Sequence, residues 1–217
     1  MKSIAVIGLS SFGFYLCQYL KQMGVNILAI DKDEESLNKV RPFVKKAIVA
    51  DAKDKDVLKK FGLEDFDEVV ISVGDHIDVS ILIVLHLREL GVKEIVAKAV
   101  NEEHARILHL IGASTIVFPE RDMAKRMAHT MHRSNLLDYV PLGETYSIIE
   151  IAPPRPWIGK ALHELNIRAV YRIQIIMVKE IVPQNTLLIP DGNYVVKDSD
   201  ILVLLGENPD LERVEKL

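Results

Sequence analysis

Between residues 1 and 118, short β-branched runs alternate with longer stretches of helical spacing. The runs are Ile4–Ile7, Ile27–Ile30, Ala47–Val49, Val69–Val73, Ile95–Ala97 and Thr115–Phe118. Helix-length segments separate them. In Ile77–Leu90 the positions Ile81, Val84, Leu85 and Arg88 keep helical spacing, and Gly91 supplies the stop. Apolar strands with helices between them predict a parallel sheet covered on both faces, a Rossmann-like, doubly wound α/β domain over residues 1–119. From Glu120 to about Leu137 the spacing is that of one long helix, so 120–140 reads as a crossover or interface helix. Met123, Met127 and Met131 fall on one stripe beside Ala124 and Ala128, which packs either in cis or against another subunit. Pro141 and Gly143 break this helix. The runs Tyr146–Ile151, Ile173–Val178, Thr186–Ile189 and Ile201–Leu205 then surround one short helical segment near Lys160–Leu165, which predicts a small α+β domain over 141–217.

Charge removes one class of partner. Of 27 basic and 31 acidic residues in the 217-residue chain, 8 and 11 fall in 141–217, leaving 19 and 20 before it. Neither part has the basic excess of a phosphate-tracking nucleic-acid binder. The longest aliphatic runs, such as Ile81–Leu85, are far short of the roughly 18 apolar residues that span a bilayer. The N-terminus runs straight into a strand, without the basic and apolar blocks of a signal peptide, so a cytoplasmic location is expected. One cysteine, Cys17, excludes an internal disulfide, and its apolar helical setting reads as a buried, inert thiol.

Chemistry enters after the first strand, at Gly8-Leu9-Ser10-Ser11-Phe12-Gly13. In a dinucleotide fingerprint the first glycine permits the tight turn, the second lets backbone approach the pyrophosphate, and the third lets helix and strand pack closely. The helix N-terminus offers amides and positive dipole to phosphates. Here Ser10 holds the middle position. Asp31 ends the second strand, 18 residues after Gly13, where a carboxylate accepts both ribose hydroxyls and repels a 2′-phosphate. Adenine-nucleotide binding is expected, with NADP disfavoured. Lys32 adjoins Asp31. Asp51-Ala52 ends the third strand on the same carboxyl edge, where Asp51 either faces the adenine or caps the helix beginning near Asp54. Gly74-Asp75-His76 and Lys98 follow the fourth and fifth strands on that same edge. Lys98 reads either as a cation near phosphate or as a solvated strand-end lysine.

An oxidoreductase needs in addition a substrate pocket with a general acid or base and an anchor for substrate charge. The small domain offers only His163 and scattered arginines. His129 and His132 stand three apart on a helix without companion carboxylates, a poor metal pair. A nucleotide site without evident chemistry points to a sensor. An NAD-dependent oxidoreductase and a free-standing nucleotide-responsive sensor of redox or energy state remain the alternatives.

The chain resembles, over nearly its whole length, the cytoplasmic regulator-of-potassium-conductance subunits of bacterial Ktr and Trk transporters. In the first domain the likeness rests on Gly8–Gly13, on Ile30-Asp31-Lys32-Asp33-Glu34, on Lys98-Ala99-Val100-Asn101 and on the stretch from Ile111 to Ala124. In the second it rests on Ile158–Arg168 and Val196–Gly206. The resemblance implies an octameric ring, of one chain or of two related ones, docked under a membrane-embedded potassium-translocating subunit on the inner face of the membrane. Ligand binding between paired domains would reshape the ring and gate the pore. It also implies that Asp31 holds ribose, that Lys98 lies near the phosphates, and that Glu120 helps bind a divalent cation. In the second domain it implies cyclic di-AMP in an apolar cleft at Ile167, Arg168, Ala169, Gln174, Ile175 and Pro190. Where related chains carry glycine then arginine, this one has Ser10 and Ser11. Without that arginine's contact to a terminal phosphate, NAD, NADH, ADP or AMP is as well suited as ATP.

Overall fold

A computed structural model of the chain describes residues 2–132 and 136–217, with only the backbone at 132. It divides into two compact units, Met1–Glu120 and Arg121–Leu217.

In the first unit, β1 (Ser3–Ile7), β2 (Asn26–Asp31), β3 (Lys46–Val49), β4 (Glu68–Ile71), β5 (Ile95–Lys98) and β6 (Thr115–Val117) form one sheet in the order β3-β2-β1-β4-β5-β6. Every neighbouring pair is parallel. Successive residues of a strand point to opposite faces, so both sides of each strand need apolar cover. Ile4, Val6, Ile27 and Ala29 pack under α1 (Ser11–Gln22) and α2 (Glu34–Val40). Ala5, Ile7, Leu28 and Ile30 pack under α3 (Lys55–Lys59), α4 (Ile77–Glu89) and α5 (Glu102–Leu110). This is why the strand sequences run apolar without alternation. Cys17 lies in the first layer, and burial pushes its thiol up to about 12, which keeps it protonated. The chain leaves β1 toward β2 on one side and returns beside it as β4 on the other, which opens a crevice at the carboxyl ends of β1 and β4.

The helix after β6, α6 (Pro119–His132), stops short of its expected end at Leu137. Residues 133–135 lie outside the described residues. Leu136–Leu142, expected as the end of that helix and its break at Pro141, is instead the strand β7. Pro141 is tolerated because β7 is an edge strand, with one side of its ladder unpaired. Met123, Met127 and Met131 are all exposed, with Ala124 and Ala128 between them, so the stripe is not packed in cis among the described residues.

The second unit is an antiparallel sheet in the order β10-β9-β11-β8-β7, adding β8 (Tyr146–Ile151), β9 (Gln174–Glu180), β10 (Asn185–Leu188) and β11 (Asp200–Glu207). The expected helix near Lys160–Leu165 is α7 (Leu162–Leu165). Two more helices accompany it, α8 (Ile167–Tyr171) and α9 (Asn208–Glu215). Leu211 and Val214 of α9, together with Trp157 and Ile167, close the core over Ile149, Ile175, Val178 and Leu202. No helix among the described residues is long and apolar enough to cross a membrane.

Candidate functional site

The carboxyl edge of the parallel sheet is shaped by backbone contacts that only glycine allows. Gly8 takes φ +87°, and a Cβ there would sit 2.5 Å from the Ser72 carbonyl oxygen. A Cβ on Gly13 would sit 2.4 Å from the Gly8 carbonyl oxygen, so α1 packs directly on the turn that precedes it. Ser10 stands at the N-cap of α1, yet its side chain does not cap the helix. Its hydroxyl instead meets the buried Ser72 hydroxyl at 2.5 Å, which fastens the loop to the end of β4. The amides of the first turn of α1, at Ser11, Phe12 and Gly13, are therefore left without a side-chain cap, the arrangement that suits a phosphate.

Asp31 ties the loop to β2. Its Oδ2 accepts from the Leu9 N–H at 2.6 Å and its Oδ1 from the Asp33 N–H at 2.9 Å. Each carboxylate oxygen keeps a further lone pair for a ligand hydroxyl. The cleft that results holds about 310 Å³ and brings together Gly8, Leu9, Ser10, Asp31, Lys32, Asp51, Ala52, Gly74 and Asp75 from four different strand ends. Asp51 does not cap α3. That role falls to Asp54, whose carboxylate accepts from the Asp56 and Val57 amides, while Asp51 accepts from Lys53 N–H and faces the cleft. Ser11, Phe12 and Gly13 lie behind the cleft wall in the first turn of α1, outside its lining.

Lys98 is also outside that lining. It is 7% exposed, and its Nζ donates to Glu120 Oε1 at 2.5 Å. This hydrogen bond holds the Glu120 carboxyl below the usual carboxylate range. The two residues expected as separate phosphate and cation ligands are thus each other's partners. Among the described residues no group of three metal-ligating side chains converges. His129 stacks on Tyr139, with ring centroids 4.3 Å apart, and the side chain of His132 lies outside the described residues.

Sequence reasoning missed Ser72, Ser36 and Lys53, which line the cleft or its floor, while His76, which follows Gly74 and Asp75 after the fourth strand, lines it as well. Ser72 follows β4 at the same carboxyl edge as Gly74, so its position in the topology was the available signal. It also missed the buried His104, whose ring nitrogens meet Ser80 Oγ at 2.7 Å and the Val100 N–H at 3.3 Å. Because the Val100 amide can only donate, Nδ1 accepts and Nε2 carries the proton toward Ser80. Burial lowers the pKa of this imidazole and favours the neutral form.

In the second unit a cavity of about 380 Å³ is lined by Ile167, Arg168, Gln174, Ile175 and Pro190, five of the six residues expected there. Ala169, on the same short helix, is exposed and does not line it. The Gln174 amide is turned onto the Ile175 carbonyl at 2.8 Å, and His163 Nδ1 lies 2.8 Å from the Gly192 carbonyl.

A doubly wound sheet with a glycine turn, an acidic second-strand end and an open carboxyl-edge cleft defines the class of nucleotide-binding α/β units. Comparison with known proteins narrows the class. Residues 4–119 match the TrkA-N domain and residues 146–217 the TrkA-C domain. Ktr system potassium uptake protein C of Bacillus subtilis (strain 168) is 41% identical over 215 residues, 99% of this chain and 96% of that protein. Ktr system potassium uptake protein A of the same organism is 35% identical over 214 residues, with the same coverage. Among solved structures, the GsuK channel bound to NAD matches with a TM-score of 0.67 at 20% identity, covering 100% of this chain and 39% of that one. The chain belongs to the TrkA-N and TrkA-C family of Ktr potassium uptake proteins.

Proposed function

We propose that this chain is the nucleotide-sensing regulatory subunit of a bacterial potassium uptake system, and not an enzyme. It works on the cytoplasmic face of the membrane, in a dimer-based ring of one or two kinds of chain, bound to a membrane-embedded potassium-translocating subunit. The observation that carries the reading is the carboxyl-edge cleft. Uncapped backbone amides at the start of α1, behind the cleft wall, are the donors to phosphate, Asp31 is the acceptor for ribose hydroxyls, and the same carboxylate accepts from the loop at Leu9 N–H. A ligand hydroxyl on Asp31 therefore bears on the loop and on α1 at once, which is how occupancy becomes a change of shape. The full-length match to Ktr relatives supports the coupling to potassium uptake. The exposed methionine face of α6 supports contact with a second copy.

The choice of nucleotide rests on this chain's own loop, because the NAD-bound neighbour shares the fold alone. Ser10 and Ser11 bring no cation to a terminal phosphate, so NAD, NADH, ADP and AMP suit the cleft at least as well as ATP. A second reading applies to the second unit, where Arg168 and the apolar walls of the cavity favour a cyclic dinucleotide such as cyclic di-AMP. A divalent cation at Glu120 competes with Lys98 for the same carboxylate.

Calorimetric titration of the full chain with these nucleotides tests the reading. One adenine nucleotide per chain is expected, with no hydrolysis and no oxidation of NADH on incubation. Asp31→Ala is expected to weaken binding by about 1.5 to 3 kcal/mol, the range for hydrogen bonds to a charged group. Unchanged affinity removes Asp31 from the site, and turnover of NADH returns the chain to the oxidoreductases.

A further inference from the structure

The amino end of the same sheet carries a second opening that the nucleotide reading does not use. It arises from a mismatch of lengths. Helix α3, which follows β3 and packs beside α4, has five residues and spans about 7.5 Å at the α-helical rise. β2 has six residues and runs about 20 Å. The helix starts at the carboxyl edge after β3 and ends before the amino half of the strands is covered. What remains is a cavity of about 460 Å³, inside the roughly 300 to 1,000 Å³ range of small-molecule pockets. Its apolar surface comes from Leu28, Ile48, Phe61 and Phe66, of which the two phenylalanines and Ile48 are only half-buried.

The polar side of this cavity is one-signed. Lys45, Lys46 and Lys60 line it, all three exposed. Among the described residues none of the three makes an ion pair, although lysines elsewhere in the unit do, as with Lys2–Glu68 and Lys55–Glu89. Of the nearby acids, Asp56, Glu64 and Asp65 line no part of the cavity and pair with none of these lysines among the described residues, and two more are engaged elsewhere. Asp67 accepts from the Ser3 N–H and hydroxyl, and Glu68 holds Lys2. Three uncompensated ammonium groups beside an apolar wall complement a ligand with one anionic group and an apolar body. We propose that this cavity binds a small amphipathic anion, a carboxylate or phosphate ester carried on an aliphatic or aromatic body. The lysines hold the anionic group at the mouth, and Phe61, Phe66 and Ile48 receive the body. Because β2 ends in Asp31 and Asp51 follows β3 by two residues, the occupied cavity and the nucleotide cleft lie at opposite ends of the same two strands.

The test is calorimetric titration of the full chain with decanoate below its micellar concentration, beside decanol as the neutral analogue and inorganic phosphate as the anion without a body. Decanoate is expected to bind at one site per chain, decanol at least about tenfold more weakly, and phosphate not at all. The triple variant Lys45→Gln, Lys46→Gln, Lys60→Gln is expected to lose at least about tenfold in decanoate affinity and to keep its nucleotide affinity, whereas Asp31→Ala does the reverse. That double dissociation separates failure here from failure of the nucleotide reading. Absence of decanoate binding, equal binding of decanol, or an unchanged triple variant overturns the proposal. So does binding of the chain to phosphatidylglycerol vesicles without binding of free decanoate, which assigns the lysines to a membrane surface.

Discussion

The carboxyl-edge cleft of the first unit and the cavity beside α8 in the second are of similar size, about 310 and 380 Å³, but they are made of different parts. The first is built from backbone. Two glycines admit contacts that no Cβ survives, a carboxylate gathers loop amides, and the helix N-terminus is left open. The second is built from side chains on short elements. Its frame includes Asn166 at φ +43°, Arg172 at φ +58° and Ile189 at φ +51°, the last a β-branched residue in the left-handed region, next to the Pro190 that lines the cavity. Backbone-built sites are inseparable from the fold that makes them. Side-chain-built sites can lose their ligand and keep their fold.

The largest effect expected from this contrast is at Gly13. Gly13→Ala forces a Cβ against the Gly8 carbonyl and should destabilise the first unit by about 2 to 3 kcal/mol, the upper range for overpacking, while abolishing nucleotide binding. Denaturant unfolding with calorimetry reads both. Loss of binding at full stability would show that the loop is adaptable and break the contrast. Arg168→Ala is the counterpart. Arg168 is exposed, so unfolding should be unchanged within about 0.5 kcal/mol, while cyclic di-AMP binding falls by about 1.5 to 3 kcal/mol. Equal affinity of parent and variant would leave that cavity without a phosphate site.

The smallest effect is at Glu120. Its carboxylate is 68% exposed and its partner Lys98 is buried, so Glu120→Gln should cost only about 1 kcal/mol, a value already reduced for solvent screening. The sign with pH follows from the lowered pKa. The folded state favours the ionised carboxylate, so the stabilisation is complete above the ordinary glutamate value of about 4.3 and fades as pH falls through the lower folded value. Parent and Glu120→Gln should converge in acid-unfolding curves below that range. If a divalent cation stabilises the parent and not the variant, Glu120 is a cation ligand that exchanges Lys98 for metal.

The same contrast explains what the sequence could disclose. The inner parallel strands β1, β2, β4 and β5 were legible because each is buried on both faces and therefore spelled as an apolar run, whereas the edge strands β3 and β6 are only partly covered and show short runs. The glycine loop was legible because its constraint is local, between residues five apart. β7 was not, since Pro141 spells a break and the register shift between Leu136 and Asp138 spoils the period of two that brings Leu136 and Tyr139 into the core. α8 carries no glycine signal, because Asn166 and Arg172 supply the left-handed ends. The pairing of Lys98 with Glu120, and of His104 with Ser80, joins residues 22 and 24 apart through the fold alone. Composition has no trace of either.

The central claim, that nucleotide held at Asp31 is converted into control of potassium movement, is tested most directly by flux. The chain is added to vesicles containing the potassium-translocating membrane subunit proposed as its partner, and potassium uptake is followed as nucleotide is titrated. Uptake is expected to depend on both chain and nucleotide, with Asp31→Ala shifting the nucleotide midpoint upward by at least about tenfold, in line with a lost charge-assisted contact. Uptake indifferent to a chain that demonstrably binds nucleotide would contradict the account.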